Sequence, residues 1–289
     1  MVAVRGTSGS GIRFASSTSS LSYRILYTAP VRSPIIITGA AKRPGESPGI
    51  GFATAREAAR RGYPVGLLDV SARGLAGAQD ALGGDGLNCR TAVADVGDPE
   101  SVQRAVDVLT AGSPPRAVVN AAALTRTSQS FVPFVSLGPA DIDAAVRVNV
   151  LGMLNVVRAA LPLFLARGGG VVVNLGSIAA SYPASGLAVY AMTKAAIGSV
   201  TKSLAAEYGS RGIHVQGLAP GAVSTGLFGL VPDHYRRMLV DRSIAGRLAE
   251  PEEIAREILA VVERPQPLLA GHMVPLDGGL SPFGVHRPV

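Results

Sequence analysis

From residue 34 onward the chain alternates short apolar runs with segments of helical spacing, and this alternation limits the fold more than any other property of the sequence. Pro34-Ile35-Ile36-Ile37-Thr38 reads as a short buried strand that stops at a glycine. Further strands are predicted over residues 64–69, 88–93, 116–120, 171–175, 213–218 and 272–276. Between them, helical spacing predicts helices over residues 50–61, 72–82, 140–166, 187–211 and 251–263. One more opens at Asp98-Pro99-Glu100, where a cap residue precedes a proline at the first helical position. Strands that alternate with helices imply a parallel sheet covered on both faces. Right-handed crossovers make such a sheet doubly wound. An apolar content of 47%, only 5% aromatic residues and no tryptophan suit small-residue helices packed closely on a fully buried sheet. Seven strands and 289 residues are enough for one domain over residues 34–289, with a core that needs no staple.

Several function classes are disfavoured on composition. Cys89 is the only cysteine, so no internal disulfide and no cysteine metal site can form. Its place in a predicted strand suits a packed thiol rather than a nucleophile. His214, His234, His272 and His286 lack metal-ligand spacing, and no metal is expected. His214 and His272 read as strand residues, while His234 alone could face a substrate. The net charge of +7 is unevenly placed: six of the 27 basic residues, and none of the 20 acidic ones, fall in residues 1–45. The body is nearly neutral, so the charge describes a basic, flexible leader over residues 1–33 and not a nucleic-acid face. A Ser- and Arg-rich, acid-poor leader resembles an organelle transit peptide, a rival to a cytoplasmic location. No run of 18 uninterrupted apolar residues is present, so no membrane span is expected.

The loop after the first strand carries Thr38-Gly39, and Gly49-Ile50-Gly51 opens the following helix. Glycines there let backbone approach a pyrophosphate, to which the helix N-terminus offers free N–H groups. Asp69 ends the second strand, where an acid binds the ribose hydroxyls of NAD and repels the 2′-phosphate of NADP. Its rival role is a helix cap. Asp95, followed by Val96, comes just after the third strand, where a carboxylate can accept from an adenine amine or simply shape a turn. Asn120-Ala121-Ala122 follows the fourth strand, and side chains this small let a flat ligand lie against backbone.

Tyr190 and Lys194 are four residues apart on one predicted helix face, and Ser177 lies thirteen residues upstream. A lysine ammonium beside a phenol is expected to lower the phenol's pKa and fit it for proton exchange with an alcohol or ketone. A serine hydroxyl beside the same oxygen would stabilise developing charge.

These pieces, in this order and with Asn149, Pro220-Gly221 through Thr225 and Asp277-Gly278-Gly279, resemble the short-chain dehydrogenase/reductase family over essentially all of residues 34–289. The resemblance implies a Rossmann-type α/β fold, a doubly wound parallel sheet of about seven strands with helices on both faces. It implies Tyr190 as general acid/base, Lys194 on the nicotinamide ribose, Ser177 on the substrate oxygen and Asn149 holding a relay water. Pro220, Gly221, Val223 and Thr225 would flank the nicotinamide, and residues 226–248 would form a mobile lid. Residues 247–255 look like the 3-oxoacyl-(acyl-carrier-protein) reductase branch.

Three departures stand out. Residues 40–48 make a longer connection between Gly39 and Gly49 than the family's usual spacing; this insertion either bulges outward or lets Lys42 or Arg43 reach a phosphate and soften the NAD preference that Asp69 implies. Ala121 and Ala123 replace the usual Asn and Gly. Gln216 replaces the usual Asn. The implied protein is an NAD(H)-dependent oxidoreductase acting on a secondary alcohol or ketone, including an acyl thioester, with NADP left open. A polyol, sugar or cyclic-alcohol dehydrogenase is the alternative, and a non-catalytic nicotinamide-binding regulator the rival of another class. A homodimer or homotetramer is expected through the helices at 140–166 and 187–211.

Overall fold

The computed structural model describes residues 32–43, 45–110, 112–124, 133–226, 228, 231 and 233–280. The leader, apart from residues 32 and 33, lies outside the described residues, as do His286 and Gly229, Leu230 and Pro232 of the expected lid.

Among the described residues, seven parallel strands make one sheet. They are β1 (Ile35–Thr38), β2 (Val65–Asp69), β3 (Cys89–Val93), β4 (Ala117–Asn120), β5 (Gly170–Leu175), β6 (Ile213–Pro220) and β7 (Met273–Leu276). The spatial order is β3-β2-β1-β4-β5-β6-β7. Chain direction across the sheet therefore reverses between β1 and β4, and ligands of open α/β sheets bind beyond the carboxyl ends at such a point. Successive strand residues face opposite sides. Ile35 and Ile37 join one core with Phe52 of α1 (Ile50–Arg60) and Ile258 of α8 (Pro251–Glu263). Ile36 joins the other with Val102 of α3 (Pro99–Thr110) and Phe164. Runs of isoleucine and valine thus carry two cores at once, which explains why these strands show no polar alternation.

The remaining helices are α2 (Ala72–Gly84), α4 (Pro139–Val146), α5 (Gly152–Arg167), α6 (Ala188–Tyr208) and α7 (Asp233–Arg242). The single helix expected over 140–166 is in fact α4 and α5 joined through a π-helical turn, Arg147–Leu151. Pro162 lies inside α5 without ending it; the helix stops at Gly168, whose φ of 82° is left-handed. Among the described residues the run Pro139–Arg167 is long and apolar enough to cross a membrane by length and composition. Here it covers the sheet, with Val156, Ala160 and Phe164 buried. Part of the expected lid is the regular helix α7. His272 precedes β7 rather than lying within it. His214 is buried in β6, and its Nε2 is 3.1 Å from Gln216 Oε1. The glutamine thus occupies its position as half of a buried polar pair.

Candidate active site

The phosphate end is built by close backbone approach. Thr38 Oγ1 accepts from Ala121 N at 3.1 Å and Ala122 N at 3.0 Å, which pins the end of β1 to the loop after β4. A Cβ on Gly39 would stand 2.7 Å from the Ala122 backbone, and one on Gly51 would stand 2.3 Å from the Gly39 carbonyl oxygen. Gly49 caps α1 without a side-chain bond, and no acid lies in the first turn. The helix therefore presents N–H groups and a positive dipole end to an anion. In the long connection, Lys42 N donates to Gly74 O at 2.9 Å. The Lys42 ammonium lies 5.9 Å from the Phe52 ring centroid, and Arg43 pairs with Glu46 at 3.7 Å.

Asp69 is not the cap of α2. Ser71 caps that helix by accepting from Gly74 N at 3.0 Å. The Asp69 carboxylate instead accepts from Ser71 N at 3.0 Å and Ala41 N at 3.1 Å, joining the β2 end to the loop after β1. Asp95 does shape a turn, accepting from Gly97 N at 2.8 Å, and it also pairs with Arg147. Val96 is buried beside it. Asn120 faces inward: its Nδ2 donates to Asn174 Oδ1 at 2.8 Å, and Asn174 Nδ2 donates to Thr201 Oγ1 at 3.0 Å. This buried ladder stitches β4, β5 and α6 together.

The reacting end lies on α6. Lys194 is 4% exposed and donates to Leu175 O at 2.8 Å. Its ammonium is 5.6 Å from the Tyr190 ring centroid, so the two side chains share a face as their spacing requires. Ser177 follows β5, accepts from Ala179 N at 3.1 Å, and its hydroxyl lies close enough to the Tyr190 phenol to favour the phenolate. Burial lowers the Lys194 pKa to about 8. The expected depression of the Tyr190 pKa is not found. Burial raises it, and the Ser177 hydroxyl opposes this only in part. The physical reason is orientation, since the ammonium bonds the Leu175 carbonyl and lies by the ring, while the half-buried phenol is partly withdrawn from water.

Asn149 sits in the π-turn, and π-turns within helices recur at functional sites. Its Oδ1 accepts from Leu124 N at 2.6 Å. Its Nδ2 donates to Leu124 O at 3.1 Å and Thr193 Oγ1 at 3.0 Å. Thr193 donates in turn to Tyr190 O at 2.8 Å. The Asn149 side chain is thus a clamp between the loop after β4 and α6. The roles of Leu124, Leu175, Thr193 and Arg147 were not read from the sequence. Thr193 lies inside the Tyr-Lys motif, and its place three residues after Tyr190 is the one available signal.

Beyond β6, Gly221 N donates to Leu276 O at 3.0 Å, and a Cβ on Gly221 would meet the Asp277 Cα at 2.8 Å. Val223 is buried and bridges to Ala249, and Thr225 N donates to Val223 O at 2.8 Å. Pro220, Gly221, Val223 and Thr225 thus form one constrained segment leading out of the end of β6.

A family model for enoyl-(acyl carrier protein) reductase matches residues 39–281. The oxidoreductase UcpA of Escherichia coli (strain K12) is 34% identical over 263 residues, covering 84% of this chain and 92% of that protein. A solved 3-oxoacyl-[acyl-carrier protein] reductase from Brucella melitensis with bound NAD is 30% identical, with a TM-score of 0.76, covering 86% of this chain and 90% of that one. A gluconate 5-dehydrogenase from Burkholderia cenocepacia J2315, solved with NADP and tartrate, is 28% identical, with a TM-score of 0.76, covering 86% and 94%. With the seven-stranded parallel sheet and the ordered motifs, these likenesses establish that the chain belongs to the short-chain dehydrogenase/reductase family, whose members are NAD(P)-dependent oxidoreductases acting on CH–OH and carbonyl groups.

Proposed function

We propose that this protein interconverts a secondary alcohol and a ketone with NAD(H), through Tyr190, Ser177 and Lys194. The observation that carries the reading is the shared face of α6, where the Lys194 ammonium lies 5.6 Å from the Tyr190 ring centroid and the Ser177 hydroxyl lies beside the same tyrosine. The cleft fits a dinucleotide: the uncapped α1 N-terminus and the glycine pair Gly39/Gly51 suit a diphosphate, and the Asp69 carboxylate suits a ribose. Pro220, Gly221, Val223 and Thr225 would hold the nicotinamide side, with Asp95, Val96, Asn120, Ala121 and Ala122 along the rest of the slot. A bound nicotinamide supplies or accepts the hydride.

Ser177 holds the substrate oxygen and offsets its developing charge. Tyr190 O–H gives or takes the proton at that oxygen. Lys194 binds the nicotinamide ribose, and Asn149 fixes the surrounding backbone.

A 3-oxoacyl thioester substrate is supported by the Brucella neighbour, and a polyol or sugar acid by the gluconate 5-dehydrogenase. Acetoacetyl-coenzyme A, D-gluconate, D-threitol and a cyclic secondary alcohol, each assayed with both nicotinamides, test the proposal. NAD-linked turnover of one of them supports it. Tight NAD binding without turnover of any would favour the regulator reading instead.

We further infer pairing of copies through the α4–α5 run and α6. Leu151 and Met192 are 46% and 48% exposed on these helices, and a partner copy laid on them would cover both. A monomer in sedimentation equilibrium would contradict this.

A further inference from the structure

Four contacts tie the loop after β3 to the π-turn and the start of α5. Arg147, the first residue of that turn, pairs with Asp95 Oδ2. The Arg147 side chain also lies flat on Gly97: a Cβ there would stand 2.8 Å from both Arg147 Cγ and Nη1. At the turn's far end, a Cβ on Gly152 would meet Val96 Cγ2 at 2.6 Å, and Asn155 Nδ2 donates to Val96 O at 2.9 Å. The same turn carries Asn149, which grips Leu124 by both backbone groups and reaches Thr193 next to Lys194.

We propose that Arg147 is a positioning residue, fastening the π-turn to the Asp95–Gly97 loop and so setting Asn149 against Leu124 and Thr193. A π-turn holds one residue more than an α-turn and has a competing α-helical register. An anchor at its first residue selects between the two. Asp95 and Val96 are also the residues assigned above to the adenine end of the dinucleotide slot. Arg147 therefore spans that end and the Tyr190–Lys194 end, and the pair is a shared support of both. The inference rests on the reading of Asn149 as part of the active site, but its structural half can be measured without cofactor or substrate.

The test is amide hydrogen exchange at Leu124, whose N–H is held by Asn149, in Arg147→Met and Gly97→Ala. The second variant keeps the charge but pushes the guanidinium off its seat, and it keeps the question answerable if the first fails to fold. Exchange at Leu124 should quicken about tenfold in both variants while Val172 in β5 stays as in the parent. Turnover of the best panel substrate at saturating NAD should fall about tenfold, as for a small misplacement of catalytic groups, and Arg147→Lys should recover most of it. Unchanged exchange at Leu124, or equal acceleration at Leu124 and Val172, overturns the proposal. So does a loss confined to the KM for NAD. Tyr190→Phe separates the two readings. If it turns over like the parent, the assignment of the site fails, while Leu124 exchange still decides the role of Arg147.

Discussion

Lys194 aims its ammonium at the carbonyl of Leu175, 2.8 Å away at the end of β5, and not at the phenol of Tyr190. That single bond gives the buried ammonium one fixed partner and leaves its remaining N–H groups for a ribose. Burial sets the cost: the Lys194 pKa falls from 10.5 to about 8. Between these values the unfolded chain holds a proton that the folded chain has released, so stability rises with pH through that window. The gain is complete above 10.5 and lost as the pH falls through about 8. Such a shift corresponds to roughly 3 kcal/mol. Lys194→Met lacks the titration. Urea unfolding of parent and variant, below pH 8 and near pH 10.5, should therefore show the parent gaining roughly 2–3 kcal/mol on the variant. Parallel pH dependence would mean that the ammonium stays hydrated.

Tyr190 should be neutral in enzyme stripped of cofactor. Burial pushes its pKa above the ordinary 10, and Ser177 recovers only part of the shift. An ultraviolet titration of parent minus Tyr190→Phe should show no phenolate near neutral pH. With NAD added the same difference should move downward, because the nicotinamide ring is cationic and would lie close by. Tyr190→Phe should bind NAD nearly as the parent does and lose turnover by orders of magnitude. A phenolate seen at neutral pH without NAD would reinstate the simple lysine-activation picture.

The uneven legibility of the site has a physical basis. The strands were plain because runs such as Ile35-Ile36-Ile37 and Val171-Val172-Val173 have to fill two cores. Spacing alone put Tyr190 and Lys194 on one face, since helix geometry allows nothing else. Spacing could not say where a flexible four-carbon stem would end, and the Leu175 carbonyl decided that. The π-turn was invisible because the apolar pattern over 140–166 suits an α-helix as well, and the turn depends on Asn149 meeting Leu124, 25 positions away. Arg147 and Asp95 are 52 positions apart and carry no mutual signal. α7 went unread because its mostly polar sequence, Asp233–Arg242, lacks the apolar stripe of a core helix.

Asn149→Ala should destabilise the fold as well as slow it. The change removes partners from the Leu124 N–H and C=O and from Thr193 Oγ1. Orphaned buried groups of this kind cost about 1–3 kcal/mol each before relaxation, so a net loss on the order of 3 kcal/mol is expected. Thr193→Val removes one of these bonds together with the Thr193 bond to Tyr190 O and should cost about 2 kcal/mol. Thermal unfolding of both variants checks the ranking. A larger loss in Thr193→Val would mean that the clamp on Leu124 carries little weight.

Asp69→Asn should weaken NAD binding and narrow the preference over NADP, because it removes the charge that repels a 2′-phosphate. The amide oxygen still accepts from one of Ala41 N and Ser71 N, but the amide NH2 faces the other donor, so stability should fall by about 1–3 kcal/mol. Fluorescence titration with NADH and NADPH measures both affinities. If the parent already favours NADPH, the basic loop at Lys42 and Arg43 outweighs Asp69, and Lys42→Ala should then reverse the preference.

Gly51→Ala should be the most damaging single methyl in the cleft. The new Cβ would come within 2.3 Å of the Gly39 carbonyl oxygen and 2.8 Å of its carbon, both backbone atoms that no rotamer change can move. Relief requires the β1 end and the start of α1 to separate, which also pulls Gly39 from Ala122 and opens the anion cradle. Overpacking of this kind costs about 3 kcal/mol. The variant should melt well below the parent and lose NAD affinity together with stability. Gly49→Ala is the control, since a Cβ there meets nothing within 4 Å. It should melt close to the parent, and any loss of NAD affinity in it would report crowding of the diphosphate alone. Equal melting of the two variants would contradict the close approach of β1 and α1 on which the cofactor assignment depends.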